Sequence, residues 1–161
     1  MAFCRIADRA IRLREPVSNP DALIIQDPTL LHQVSLFEGL QPDGFVLINS
    51  TRSLDELGLA SFLKNLPAHH ALTVPATELA LRHVGRPLPN STLLGGFAAM
   101  TGELRLASVL AAIRQKFRGK IGESNAAAAQ EAYDLVARSI PTPPLQNPSP
   151  DAREEIHVEA D

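Results

Sequence analysis

Three short strand-like runs, each leading to a helix-starting signal, restrict this chain to few folds. Residues 22–25 read ALII, residues 45–48 FVLI and residues 72–74 LTV. The first two, without polar alternation, mark strands buried on both faces, as in parallel sheets covered on each side, and the third is a shorter strand. Asp27-Pro28 follows the first run. Asp accepts from the free N–H groups of a first turn, Pro has the φ of a first helical residue, and Leu30, Leu31 and Val34 supply an apolar stripe. The second run, entered from Gly44, leads to Ser53-Leu54-Asp55-Glu56. This is a capping box, and it predicts a helix with Leu57, Phe62 and Leu63 inward. Pro75 follows the third run and opens a helix with Leu79, Ala80 and Val84 on one side. Such alternation predicts an α/β fold with a parallel sheet and flanking helices.

Other elements extend this frame. Residues 2–6 and 10–13 read as a short β-hairpin around Asp8-Arg9, with Ile11 and Leu13 alternating against Arg12 and Arg14. Pro16 and Pro20 end that unit. Toward the other end, Leu106, Val109, Leu110, Ile113 and Phe117 recur at helical spacing, and residues 125–139 form an alanine-rich helix able to pack closely on a neighbour. Residues 141–150, PTPPLQNPSP, are extended and proline-rich, and residues 151–161 are acidic apart from an Ile156–Val158 alternation. The division is therefore a domain over residues 1–140 and a tail over 141–161, which has no core of its own and can become ordered by lying along a partner.

Residues 85–102, GRPLPNSTLLGGFAAMTG, stand out. Asn90 or Ser91 can cap a helix, Leu93, Phe97 and Met100 give its stripe, and Gly102 can end it in the left-handed conformation. Gly95-Gly96 in its interior costs about 1 kcal/mol per glycine relative to alanine. Two explanations stand open: tight packing on the chain's own sheet, or a face where the backbone of another subunit approaches. On the second, Arg12, Arg14, Asn90, Gly95 and Gly96 are candidate subunit-interface residues.

Composition excludes several functions. With 161 residues and 45% hydrophobic side chains, the chain is one globular domain in size and makeup. A net charge of −3 supplies no electrostatic reason to bind nucleic acid. One cysteine rules out an intrachain disulfide framework and any four-cysteine cluster from this chain alone. No apolar run approaches the ~20 residues of a membrane span, and no charged leader precedes an apolar segment. The expected setting is reducing and cytoplasmic. Neither G-x-G-x-x-G nor G-x-x-x-x-G-K-[ST] occurs, so dinucleotide and P-loop binding lack support.

Single residues offer little chemistry. His69 and His70 are adjacent, so their side chains diverge, and a surface loop explains them better than a metal pair. Cys4 reads as a small buried hydrophobe on a strand. Asp27 is explained by its cap. Arg12 and Arg14 either hold a phosphate or a partner's carboxylate, or line a solvated strand face.

Six motifs in order resemble the gamma subunit, or gamma-type domain, of 2-oxoacid:ferredoxin oxidoreductases, the pyruvate enzymes among them. They are AFCRIADRAIRLREPV (2–17), PDALIIQDPTLL (20–31), DGFVLINS (43–50), VPATELA (74–80), GRPLPNSTLLGGFAAMTG (85–102) and FRGKIGESNAAAAQEAY (117–133). The resemblance covers residues 2–139 and implies a Rossmann-like sheet. The glycine-rich strand–loop–helix with which that family's gamma subunits begin is not among these residues, so an N-terminally truncated domain is expected. The segment is either lost or omitted, or supplied by another chain.

The resemblance further implies that the chain is a non-catalytic, assembly-forming subunit, with no catalytic, cofactor or metal residues of its own. Alpha-, beta- and delta-type subunits would be its partners. Thiamine diphosphate with Mg, iron–sulfur clusters and the co-substrate coenzyme A would belong to the complex, which passes electrons to ferredoxin or another acceptor. Arg114, Lys116, Arg118 and Lys120 sit where a helix C-terminus favours cations, and a coenzyme A phosphate site is the alternative there. The competing functional class is a standalone small-molecule-binding α/β module, which would purify as a colourless monomer.

Overall fold

The computed structural model describes residues 2–7, 10–12, 15–32 and 34–141. The three apolar runs form β1 (Ala22–Ile25), β2 (Phe45–Asn49) and β3 (Ala71–Val74) of one open sheet, ordered β1-β2-β3. Both pairings are parallel, with Ile25 opposite Ile48 and Asn49 opposite Val74. The period-two alternation of β2 feeds two cores. Val46 and Ile48 join Ile25, Leu59 and Leu63 on one face, while Leu47 joins Val74, Leu79, Leu93 and Val136 on the other.

Only the central strand meets the expectation of burial on both faces. β1 is an edge, and its Ile24 is 41% exposed. A continuous apolar run reports β-propensity and hydrophobicity, not position in the sheet order.

The face lined by Leu47 carries the long helices α2 (Ala76–Val84), α3 (Asn90–Thr101) and α5 (Gly119–Ser139). α4 (Leu106–Lys116) packs outside α3 and α5 through Val109 and Ile113 against Ala98, Ala126 and Ala129. The alanine-rich helix begins six residues before the expected Asn125, because Phe117 closes α4 and Arg118 in extended conformation turns the chain into α5. α2 and α3 stop where glycine permits positive φ, at Gly85 (+75°) and Gly102 (+70°).

The opposite face is covered by short pieces. Asp27 caps as expected, its Oδ1 accepting from Thr29 N–H (2.9 Å) and the Thr29 hydroxyl (2.7 Å). These bonds, the hydroxyl's first, hold its carboxyl below the usual range. It opens only a 3-10 turn, Pro28–His32, followed by another, Val34–Phe37. The Ser53/Glu56 box also forms: Ser53 N–H donates to Glu56 Oε2 (2.8 Å) and Glu56 N–H to Ser53 Oγ (3.3 Å). The helix it announces is cut short by Gly58 at φ +72°, leaving α1 (Ala60–Leu63). Leu63 is buried, whereas Phe62, expected inward, is 58% exposed and leans on Phe37 at 5.1 Å between ring centroids.

Two further expectations fail. Residues 2–7 and 10–12 form no strand, and Phe3, Ile6 and Ile11 are exposed. A two-stranded ribbon needs a surface to pack on, and this segment has none among the described residues. Cys4 is consequently exposed instead of buried. Pro141 has no regular structure, and the rest of the expected tail, residues 142–161, lies outside the described residues.

Candidate functional site

The Gly95-Gly96 helix is a seam between α3 and α5. Ser91 Oγ donates to Asn125 Oδ1 at 2.7 Å, one turn before the place where Gly95 meets Ala129. Matching steps of four residues along both helices mean that they run side by side in the same direction. A Cβ on Gly95 would stand 1.9 Å from the Ala129 carbonyl oxygen, so only glycine admits this backbone contact. Gly96 faces the sheet, where its Cβ position is 3.3 Å from Leu47 Cδ2 and 3.4 Å from Val136 Cγ2.

The glycine pair is therefore filled by this chain's own helix and sheet. This corrects the reading of Gly95 and Gly96 as a subunit contact: both are buried inside the domain. The expected cap is also absent. Asn90 is the exposed first residue of α3, Pro89 occupies the cap position without a side-chain bond, and Ser91 is drawn into the buried bond with Asn125. Asn125 completes its own set by donating from Nδ2 to the Ile121 carbonyl (2.9 Å).

A second polar constellation ties the carboxyl ends of the strands together. Asn49 is 7% exposed and ends the apolar run of β2. Its Nδ2 donates to the Gln26 carbonyl (2.8 Å) and to Thr77 Oγ1 (2.7 Å), and its Oδ1 accepts from Thr77 N–H (3.1 Å). In open parallel sheets this end is where ligands commonly sit. Here Asn49 uses both its amide nitrogen and oxygen to lock β1, β2 and the start of α2. A concavity elsewhere, lined by Phe37, Leu40, Pro42, Phe62 and Leu66, holds about 180 Å³. That is below the ~300–1,000 Å³ of ordinary small-molecule clefts.

The other residues singled out by sequence do not converge. Arg12 is exposed, and Arg14 lies outside the described residues. His69 is exposed in a turn at φ 66°, while His70 stacks on Phe45 at 3.9 Å and donates from Nδ1 to the Asp43 carbonyl (2.8 Å). No group of three His, Cys, Asp or Glu side chains suited to a metal occurs among the described residues. One cysteine against the four thiolates of a typical iron–sulfur site means that this chain's residues do not fit a resident cluster. Of the basic run, Arg114 Nε reaches both Glu123 oxygens at 3.0 Å, while Lys116, Arg118 and Lys120 are exposed around Phe117 and Ile121.

Sequence reading missed the contacts that clamp α2 to α5. Arg82 Nη1 and His83 Nε2 both meet the Glu131 carboxylate at 2.5 Å. The hydrogen bond from His83, then the Arg82 charge, hold the Glu131 carboxyl below its usual range against a partial desolvation that raises it. Nothing local signals a pairing across 48 residues. Asn49 did have a signal, a lone amide closing an apolar strand.

Residues 1–135 match the family described as pyruvate ferredoxin/flavodoxin oxidoreductase. The chain belongs to this family. It is 42% identical over 134 residues to pyruvate synthase subunit PorC of Methanocaldococcus jannaschii, covering 83% of this chain and 70% of that protein. It is 40% identical over 133 residues to the pyruvate/ketoisovalerate oxidoreductases common subunit gamma of Pyrococcus abyssi, with the same coverage of 83% and 70%. The crystal structure of the pyruvate oxidoreductase subunit PORC from Thermotoga maritima is similar at a TM-score of 0.62 and 28% identity, over 73% of this chain and 64% of that one. In this member of the family the polar side chains at the strand ends and the glycines of α3 serve internal packing. No helix among the described residues is long and apolar enough to cross a membrane.

Proposed function

We propose that this chain is the gamma-type subunit of a thiamine-diphosphate-dependent 2-oxoacid oxidoreductase of the pyruvate type, in an assembly role. The complex would oxidatively decarboxylate a 2-oxo acid to an acyl-coenzyme A and pass the electrons to ferredoxin or another acceptor. The observation that carries this reading is the identity of 42% and 40% to proteins named as a pyruvate synthase subunit and as the common gamma subunit of pyruvate/ketoisovalerate oxidoreductases. The donor set supports the assembly role. In this reading the thiamine and iron chemistry belongs to alpha-, beta- and delta-type chains, since one cysteine falls short of the four thiolates of a typical cluster. Arg12, Arg14 and Asn90 are the interface positions in this reading, without Gly95 and Gly96. The setting would be cytoplasmic, with no nucleic acid or membrane partner.

Co-expression with the candidate partner subunits and purification through a tag on this chain tests the proposal. The expected product is a brown, iron-containing assembly that reduces an acceptor dye in the presence of pyruvate and coenzyme A. A colourless monomer that leaves an active assembly of the other chains behind would refute it.

A further inference from the structure

The corner where α4 turns into α5 combines two features that a free surface rarely keeps together. Phe117 is 39% exposed and Ile121 61% exposed, one helical turn apart in sequence. Lys116, Arg118 and Lys120 are exposed beside them, and none has a hydrogen-bond or ion-pair partner among the described residues. Apolar side chains set among cations suit an acidic segment that carries its own apolar residues.

The chain supplies such a segment. Residues 151–161, DAREEIHVEAD, hold five carboxylate side chains against one arginine, with Ile156 and Val158 spaced to present one apolar face. Its reach also fits. The tail leaves the domain just past Ser139, at the far end of α5 from Ile121. A helix the length of α5 spans on the order of 30 Å. The spacer 141–150 reads PTPPLQNPSP, half of it proline. Extended at the polyproline rise of about 3.1 Å per residue, it reaches about as far as the helix is long. A spacer of that length is therefore long enough for residue 151 to reach Lys120.

We propose that residues 151–161 dock on the Phe117/Ile121 corner of the same chain, through Ile156 and Val158 on the apolar side chains and carboxylates on Lys116, Arg118 and Lys120. The docked segment covers an apolar patch that would otherwise be open to association.

Hydrogen exchange read by mass spectrometry on the 161-residue chain tests this. Peptides spanning 151–161 should exchange on the order of tenfold more slowly than the same sequence as a free peptide. The protection should disappear in Ile156→Asp/Val158→Asp and in Lys116→Glu/Arg118→Glu/Lys120→Glu. It should also shrink at high salt and be independent of protein concentration. Lys116, Arg118 and Lys120 are exposed, and unchanged exchange in β2 and α5 checks that each variant is folded. Exchange of 151–161 at the free-peptide rate overturns the proposal and leaves the corner open for another chain. Protection that rises with protein concentration overturns the intrachain docking and assigns the corner to a second copy.

Discussion

Gly95→Ala separates the packing account of α3 from any account based on helix propensity. Propensity alone predicts stabilisation by about 1 kcal/mol, since alanine is the better helix former. Packing predicts the reverse. The new Cβ would lie 1.9 Å from the Ala129 oxygen, 2.6 Å from its carbonyl carbon and 2.9 Å from its Cα, whereas ordinary contact begins at 3.4 Å. Relief requires moving the backbone of α5, because no side chain can rotate away. α5 is held by α2, α3 and α4 together, so shifting it disturbs every helix contact on that face. Overpacking usually costs about 1–3 kcal/mol, and a clash of backbone with no rotamer escape belongs at or beyond the upper end. The expected net loss is about 2 kcal/mol, or a melting temperature lower by about 6 °C for a domain of this size. Gly96→Ala is the internal control. Its Cβ would meet only methyl groups, at 3.3 Å from Leu47, 3.4 Å from Val136 and 3.6 Å from Val74. Its stability should match the parent's or rise by up to about 1 kcal/mol, the propensity gain of alanine. Urea and thermal unfolding of both variants measure the difference. Equal stabilities, or a Gly95→Ala chain as stable as the parent, would refute the backbone contact.

Two other changes probe the polar contacts. Glu131 has its folded pKa below its unfolded value. Its contribution is therefore present above the ordinary carboxylate range near ~4.3 and is lost as pH falls through the folded value. The partners are partly exposed, so Glu131→Gln should cost no more than about 1 kcal/mol at neutral pH and low salt. Denaturation curves of parent and variant should converge as pH falls through that window, and a gap that persists at lower pH would contradict the assignment. Thr92 has a fully buried hydroxyl with no hydrogen-bond partner among the described residues, so Thr92→Val should stabilise the chain by about 1 kcal/mol. A loss in the same urea assay would mean that the hydroxyl is bonded in solution.

What the sequence determined by itself was set by local physics. The three strand runs, the Asp27 and Ser53/Glu56 caps, the stop at Gly102 and the stripe of α4 each depend on residues within about one turn of one another. The family was legible too, since six motifs in order survive any uncertainty about geometry. The tertiary structure decided the rest. An apolar run is the same string at a sheet's edge as at its centre, so only assembly of the sheet exposed Ile24 and buried Leu47. Capping signals start a turn, but with Gly58 following and only a shallow layer to cover, they yielded short helical pieces in place of full helices. Glycine in a helix announces a close approach without naming what approaches. Gly95 lies in α3 and Ala129 two helices later in α5, and no local pattern encodes a contact at that separation. The same holds for Glu131 with Arg82 and His83 and for Asn49 with Thr77. Such bonds form only when packing of the apolar faces has brought distant segments together.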